Sequence, residues 1–396
     1  MADASPERDS PAKPRLLSDP KFRALVFQII ASITVAAFIF FIVRNTLTNM
    51  ESRGISTGFG FLDRASGFGI LQSLIEYNET STYGRTFLVG LLNTILVSVL
   101  GVFFATIIGF IMGVLRLSSN WLISKLAATY IEIFRNIPLL LQIFFWYYAI
   151  GFNLPGPRQA MSVGDSLFLS NRGLYIPAPV FESGFMATGL AIIASIVAVI
   201  ILARWARKRF EATGQLFHTV YASLAILIGV PAVVFFATGA PMHLDYPSLQ
   251  GFNFQGGVAI IPELFALVLA LSIYTAAFIA ETVRSGIQAV SHGQTEAASA
   301  LGLRPGWILR LVVIPQAMRV IIPPLTSQYL NLTKNSSLAA AIGYPDLVAV
   351  FAGTTLNQTG QAVEIIAITM SVYLVLSLII SIFMNWYNAK MALRER

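Results

Sequence analysis

The sequence contains no cysteine and only 3 histidines, and just 11% of its 396 residues are charged. Without cysteine the chain can form no disulfide, thiolate nucleophile or cysteine-ligated metal centre. His218, His243 and His292 are far apart in the sequence and lack the spacing of metal ligands, so no metal site is expected. The serines of the stretch 335–337 have no histidine nearby, and no paired carboxylates suggest acid–base chemistry, so no catalytic residue is expected.

A phosphate-binding loop of the form GxxxxGK[ST] is also absent, because no glycine is followed by lysine anywhere in the chain. ATP held by such a loop must therefore be bound by another protein. The scarcity of charge accompanies 56% hydrophobic residues and a mean hydropathy of +0.72, which is typical of a protein embedded in the lipid bilayer. No soluble basic domain carries the net charge of +7, so we expect it to reflect membrane orientation and expect no nucleic acid partner.

Long apolar segments predict an all-α integral membrane protein with eight transmembrane helices, each of about 20 residues or more, enough to cross a hydrocarbon core of about 30 Å. Residues 1–23 are polar and predict a disordered cytoplasmic tail, followed by an extra N-terminal helix over 24–43. That helix is too long for a signal peptide, and no small-residue cleavage site follows it. The other predicted spans are Phe87–Leu115, Leu122–Ile150, Phe185–Trp205, Val220–Thr238, Pro262–Gly286, Val320–Ile342 and Val363–Trp386.

Breaks and small residues refine these spans. Pro138 predicts a kink or restart inside the third span, and Pro262 suits the first turn of the sixth. We expect an external loop over 45–85 with a short amphipathic helix at 68–77, and an irregular loop over 151–182. Small residues repeat along the second span and predict that a neighbouring helix approaches closely; they are Gly90, Ser98, Gly101, Ala105, Gly109 and Gly113.

Lysine and arginine are unevenly distributed among the connecting segments. They concentrate in the N-terminal tail, in 204–209, in 284–319 and at the C-terminus, and these segments lie on the same side if there are eight spans. Because cytoplasmic loops carry an excess of Lys and Arg, both termini and the segment 291–315 are predicted to face the cytoplasm.

Residues 291–315 predict two helices that meet at a sharp turn. Ser291 and Gln294 have the spacing of a capping box, several alanines follow, and Gly302 is suited to ending the first helix. Pro305 can begin the second. One side of that second helix would carry Ile308, Leu311, Val312 and Pro315, with Arg304 and Arg310 facing water or headgroups. Judged from these residues alone, this knuckle could equally be an ordinary structured loop between membrane helices.

The same stretch resembles the E-A-A loop in the membrane subunits of bacterial ATP-binding-cassette importers. Glu296, Ala297, Ala298, Gly302 and Pro315 stand at the matching positions. The stretches EIFRNIPLL at 132–140 and NLTKNSSLAAAIGYPDLVAVF at 331–351 are similar to those of polar amino acid permeases, and the long chain is most similar to a membrane subunit of the general L-amino acid transporters. Departures from the common pattern are Val312 and Ile314, in place of Ile and Leu, and Ser336, where Thr is frequent.

That resemblance implies a permease domain over 87–386, with an insertion at 151–261 that holds two additional helices, in a bacterial inner membrane. It implies a second homologous permease subunit, expected as a heterodimer, two ATPase subunits that bind ATP and Mg, a periplasmic amino acid-binding protein, and surrounding phospholipid. The substrate would be an L-amino acid, and this chain itself would bind no cofactor. The residues implied in coupling to the ATPase are Gln294, Glu296, Ala297, Ala298, Leu301, Gly302, Arg304 and Pro315.

The predicted seventh span is polar for a membrane helix, so it must line a pathway or pack centrally. Its candidate pathway residues are Gln328, Asn331, Lys334, Asn335, Ser336 and Ser337. An ammonium such as that of Lys334 costs about 2.5–3.5 kcal/mol inside a membrane helix unless it is solvated or paired. It could attract a substrate carboxylate, pair with a carboxylate of this chain, or hold carbonyls at a helix break.

Two pairs of opposite charge lie three residues apart on predicted helices, Glu281 with Arg284 and Glu132 with Arg135. Residues at this spacing are neighbours on a helix surface, so a structural ion pair is the first interpretation and a gating role the second.

Two other functions remain open at this stage. A secondary transporter driven by an ion gradient would need no ATPase, but it predicts internal repeats and intramembrane carboxylates, neither of which is evident. A channel or scaffold subunit is the other alternative. Transport by the reconstituted chain without an ATPase would distinguish them.

Overall fold

The computed structural model describes residues 20–52, 54 and 57–391. The first 19 residues of the predicted tail lie outside this range. Helix α1, Pro20–Ser52, begins earlier and ends later than the predicted 24–43. Among its described side chains only that of Met50 is buried, so the rest of this apolar helix is free to contact lipid or another subunit.

The remaining chain is mostly helical. Within the described residues, seven helices are long and apolar enough to cross a membrane, or up to eight if a bent pair counts as one span, which agrees with the predicted number. In chain order the helices are α2 Tyr83–Leu115, α3 Trp121–Asn136, α4 Leu139–Asn153, α5 Phe185–Thr213, α6 Thr219–Leu224, α7 Val230–Ala237, α8 Pro262–Gln288, α9 His292–Ala300, α10 Pro305–Ile308, α11 Ile314–Asn335, α12 Leu356–Thr359 and α13 Ala362–Met391.

Helix α8 is the centre of the core. Its side chains at Leu267, Ala270 and Ile279 are fully buried, and α2, α3, α4 and α11 all pack against it. The predicted close approach is made by α2, whose small residues are buried along one side. A Cβ atom on Gly113 would come within 2.7 Å of the Ala280 carbonyl oxygen, so only glycine allows the two backbones to approach this closely.

The third predicted span is broken in the middle. Helices α3 and α4 meet at Pro138 with a bend of 106°. Proline cannot donate a backbone hydrogen bond and disfavours helix in the preceding residue, which explains why Ile137 is extended. The restart predicted at Pro138 is therefore confirmed. The side-chain amide of Gln142 donates to the carbonyls of Phe134 and Ile137, which satisfies groups that the break would leave unpaired.

The predicted all-α membrane fold is confirmed, and the insertion adds short strands where an irregular loop was expected over 151–182. The segments flanking α5 and α7 form eight short strands: β1 Met161–Val163, β2 Leu167–Ser170, β3 Gly173–Ile176, β4 Ala178–Phe181, β5 Met242–Asp245, β6 Ser248–Gln250, β7 Asn253–Gln255 and β8 Val258–Ile260. An antiparallel sheet has the order β1-β2-β3-β8, and β4–β5 and β6–β7 form separate pairs. Gly173 allows β8 to approach, since a Cβ there would clash with the Ile260 carbonyl oxygen.

Helices α5 and α7 form a hairpin that packs on itself rather than on the core. The two strands β4 and β5 continue directly from its ends and pair with each other. Many of its apolar side chains are exposed, including Met186, Ile201, Val233 and Phe236. Such exposure of apolar side chains is expected for a helical pair that is surrounded by lipid or by another subunit.

The segment before α2 contains no helix at 68–77, contrary to expectation. A single 3₁₀ turn forms earlier, at Gly60–Asp63, and inserts Phe61 among Tyr83, Leu347 and Phe351. Residues near 68–77 are instead held by the Tyr77 hydroxyl, which donates to the Phe68 carbonyl at 2.8 Å. Within the same segment the Ser73 hydroxyl accepts from the Ile75 amide at 3.3 Å, and local side-chain bonds of this kind compete with helix formation.

Candidate coupling loop and translocation surface

The predicted knuckle is formed by α9 and α10. Gly302 ends the first helix with a φ of +75°, a left-handed conformation that only glycine adopts freely, and Pro305 begins the next helix. The predicted capping box is wrong, because the Ser291 side chain makes no cap hydrogen bond. The backbone amide of Gln294 bonds to the Ser291 carbonyl instead, at 3.0 Å.

A small apolar core holds the two helices of the knuckle together. Ala298 packs with Ile308 and Val313, and all three are buried. The expected apolar side of the second helix is only partly correct, because Leu311 is exposed and Val313 takes the inward position. The reason is a π-helical turn at Leu309–Val313, whose wider winding shifts the register of the side chains.

The implied coupling residues fall into two groups. Ala298 is buried and Pro315 half-buried, in the packing of the knuckle and the first turn of α11. The others are exposed to solvent: Gln294, Glu296, Ala297, Leu301, Gly302 and Arg304. Leu301 is 82% exposed at the tip, and the Glu296 carboxylate is 3.1 Å from His292 Nδ1. An exposed apolar side chain at the tip of a loop is suited to contact with another protein.

The knuckle is continuous with the polar helix that follows it. From Pro305 the chain is helical without interruption through α10, the π-helical turn and α11 to Asn335, and then continues as a 3₁₀ turn at Ser336–Ile342. Pro323 and Pro324 lie inside this helix without breaking it. The second helix of the knuckle and Lys334 therefore belong to one continuous helix, longer than the separate span predicted over 320–342.

One face of α11 is open and polar. The side chains of Asn331 and Lys334 are exposed, and those of Gln328, Asn335 and Ser337 are half-buried. Lys334 and Ser337 line a groove of about 510 Å³ together with Thr369 and Tyr373 of α13. Ser336 is the exception to the predicted set, because it is fully buried and donates to the Thr333 carbonyl at 2.7 Å. It belongs to the packing of the helix and not to this surface.

A buried polar network supports the groove from behind, and the sequence interpretation did not include it. Asp346 is fully buried, accepts a hydrogen bond from the Ala349 amide at 2.9 Å, and lies 3.4 Å from the Tyr373 hydroxyl. Thr94 of α2 accepts from the next backbone amide, that of Leu347, at 3.0 Å. In the sequence, an aspartate that follows Tyr-Pro in an otherwise apolar stretch could have indicated this network. These bonds fix the turn that follows α11 against α2 and α13.

Of the two predicted ion pairs, one is present in the structure and the other is not. Arg284 donates from Nε to both carboxylate oxygens of Glu281, at 3.2 and 3.0 Å, so that pair is present in the structure. Arg116 lies 4.0 Å from the same carboxylate. The pair of Glu132 with Arg135 does not form, because the Arg135 guanidinium lies over the Phe278 ring, 5.2 Å from its centroid. A cation–π contact across two helices replaces the local pair.

Comparisons with known proteins bear on this arrangement. Residues 195–393 match the family described as "Binding-protein-dependent transport system inner membrane component". The chain is 58% identical over 379 residues to the putative amino-acid ABC transporter permease protein YhdX of Escherichia coli (strain K12), covering 96% of each. It is 55% identical over 378 residues to the general L-amino acid transport system permease protein AapQ of Rhizobium johnstonii, covering 96% of this chain and 94% of the relative. It is 44% identical over 412 residues to the glutamate/glutamine/aspartate/asparagine transport system permease protein BztB of Rhodobacter capsulatus, covering 96% of each.

Proposed function

This chain belongs to the family of inner-membrane components of binding-protein-dependent transport systems, and we propose that it couples ATP hydrolysis by partner subunits to amino acid import through the knuckle and α11. It is a permease subunit of an amino acid ABC transporter, embedded in the membrane through its long apolar helices. The observation that carries the proposal is the uninterrupted helix from Pro305 to Asn335, which joins an exposed knuckle to the groove that contains Lys334.

The substrate class we propose is L-amino acids. The names of AapQ and BztB describe transport of L-amino acids and of glutamate, glutamine, aspartate and asparagine by those proteins. Every such substrate has an α-carboxylate. Among the residues that line the groove, Lys334 is the cation, and no carboxylate of the described chain pairs with it. We therefore assign Lys334 to the substrate carboxylate, with Ser337 and Tyr373 as hydrogen-bonding neighbours.

The open face of α11 also suggests how the pathway is completed. A polar surface bearing Asn331 and Lys334 is costly against lipid, so it is suited to facing a second permease subunit across a hydrated path. We propose that this second subunit is a homologous chain and that the two form a heterodimer. Substrate would arrive from a periplasmic binding protein, on the side opposite the basic segments.

Coupling would begin at the knuckle. Two ATPase subunits, which hold ATP and Mg, would contact Glu296 and the Leu301 tip on the cytoplasmic side. Because Ala298, Ile308 and Val313 pack the knuckle onto the start of the long helix, displacement of α9 would move α11 as well. Closure of the ATPases would then tilt the polar face and alternate its access between the two sides.

Reconstitution tests this function directly. The chain is assembled in proteoliposomes with its partner permease, ATPase subunits and binding protein, and uptake of a labelled amino acid is measured. We expect uptake only when ATP and all four components are present. Uptake by the chain alone, driven by an ion gradient, would show a secondary transporter and would contradict the proposal. Passive equilibration without ATP would show a channel.

A further inference from the structure

The four-stranded sheet of the insertion has one face that consists only of apolar, non-aromatic side chains. Directly paired residues of antiparallel strands point to the same face, and so do residues two apart in one strand, so these side chains form two rows across the sheet. The first row is Met161, Leu169, Leu174 and Ile260, and the second, two residues along each strand, is Val163, Leu167, Ile176 and Val258. We propose that this face docks on the lipid bilayer, where phospholipid acyl chains cover it.

The opposite face of the same sheet is covered by the insertion itself. The ring centroids of Phe168 and Tyr175 lie 4.6 and 4.8 Å from that of Phe254 on β7. The Tyr175 hydroxyl also donates to Asn253 Oδ1 at 2.9 Å. The aromatic side of the sheet is therefore packed within the chain, and the two rows of apolar side chains are on the other side.

The first row faces the ends of two membrane helices. Leu169, Leu174 and Ile260 line a groove of about 350 Å³. Its other wall comes from the end of α4 and the beginning of α8, and includes Ile150 and Phe265. This end of α8 is opposite the knuckle. Phe265 is 49% exposed on α8, so the groove is continuous with the apolar surface of the membrane-spanning helices.

The second row is the exposed part of the face. Val163 is 72% exposed, Val258 42% and Leu167 36%. Residues two apart in a strand are separated by about 7 Å, and the headgroup region adds about 5–7 Å to each side of the hydrocarbon core. With the first row at the ends of α4 and α8, the second row therefore lies within the depth of the membrane interface.

The chemistry of this face favours lipid over a protein partner. None of the four strands contains a charged residue. Protein interfaces carry about one hydrogen bond per 100–200 Å² and are enriched in Tyr, Trp and Arg, whereas this face has no hydrogen-bond donor among its side chains and no aromatic residue. Trp146, Tyr147 and Tyr148 lie in the second half of α4, towards the groove. Tryptophan and tyrosine are typical of the level at which a helix leaves the membrane.

Spin labelling tests the docking, because the chain contains no cysteine. Val163→Cys or Val258→Cys is labelled before the full transporter complex is assembled in nanodiscs. Power saturation then compares the accessibility of the label to oxygen, which concentrates among acyl chains, with that to a water-soluble nickel complex. We expect both labels to be several-fold more accessible to oxygen. Ser162→Cys, exposed on the opposite face of β1, is the control and should be more accessible to the nickel complex.

The two reagents separate lipid from the other possible covers. Accessibility to the nickel complex equal to that at Ser162→Cys would show that the face lies in water. Little accessibility to either reagent would show that a protein, such as the second permease subunit, covers it. Either result would overturn the proposal. The test requires only that the helices span a membrane, and it depends neither on the substrate nor on coupling to ATP.

A second measurement needs no label on the sheet. The complex is placed in nanodiscs that contain a phospholipid with a diazirine in its acyl chain, and the peptides that crosslink on irradiation are identified by mass spectrometry. We expect crosslinks within 161–176. Val163→Asp should reduce them several-fold, because a charge placed against acyl chains is costly. Ser162→Asp is the matched control and should leave them unchanged. Absence of these crosslinks in the natural chain, or equal crosslinking of the two variants, would contradict the docking.

Discussion

Gly109 of α2 lies so close to Ile279 of α8 that a Cβ atom on the glycine would come within 2.6 Å of the isoleucine Cβ. Ile279 is fully buried and cannot move aside without disturbing the core. The contact therefore fixes the distance between the two helices that form the centre of the transport domain. A displacement of α8, for example by the knuckle that follows its C-terminal end, should therefore also displace α2.

Gly109→Val should destabilise the chain by about 1–3 kcal/mol, the usual cost of overpacking a core. The expected result is a lower midpoint in thermal unfolding of the detergent-solubilised protein. Gly189→Val in α5 is the matched control, because a Cβ at that glycine meets no atom within 4 Å. Equal midpoints for the two variants would contradict the close packing.

Gly302→Ala should disturb the knuckle without a steric clash. No atom lies within 4 Å of the added Cβ, but the φ of +75° costs an alanine about 1–2 kcal/mol. We expect fewer amino acids imported per ATP hydrolysed, measured in proteoliposomes. Gly306→Ala is the control, since it meets no atom either and has no positive φ. Identical coupling in both variants would show that the turn conformation is unimportant.

Leu301→Ser should weaken binding of the ATPase subunits, because it removes an apolar side chain that is 82% exposed at the tip of the knuckle. The measurement is the amount of ATPase that co-purifies with the permease. Leu71→Ser provides a control of equal chemistry, at a residue that is 85% exposed in the loop before α2. If both variants retain the full amount of ATPase, the tip is not the contact.

Lys334→Met should raise the KM for amino acid uptake while ATP hydrolysis and membrane level stay normal. Loss of a charge-assisted hydrogen bond, worth about 1.5–3 kcal/mol, corresponds to a change of about tenfold or more. Lys390→Met near the end of α13 is the control, where the ammonium lies 5.3 Å from the Trp386 ring centroid. Unchanged uptake kinetics in Lys334→Met would remove Lys334 from the pathway.

Local features were predictable from the sequence. Gly302, Pro305 and Pro138 act on the residues beside them, and each ends or begins a helix as expected. The spans were predictable because a long apolar run has few alternatives in a membrane. The small residues of α2 also indicated the close contact with another helix, although not that the helix would be α8.

Features that depend on distant partners were not predictable. Strands β3 and β8 are short and pair only because the two ends of the insertion return to the same place. Arg135 has Glu132 within one turn, yet it lies over Phe278 of another helix. The inward position of Val313 follows from a π-helical turn, which no periodicity of 3.6 residues can indicate. The role of Asp346 was not predictable because the side chain that contacts it, that of Tyr373, comes from α13.

The central claim is that the knuckle and the polar face of α11 move as one rigid helix. Because the chain has no cysteine, spin labels at Trp307→Cys in α10 and Ser327→Cys in α11, both at exposed positions, can be attached without background before the complex is assembled. Pulsed electron paramagnetic resonance then measures the distance between them in the nucleotide-free and ATP-bound complex. The account predicts one unchanged, narrow distance in both states while amino acid uptake remains ATP-dependent. A distance that shifts or broadens with ATP would show that the helix bends between knuckle and groove, and would contradict it.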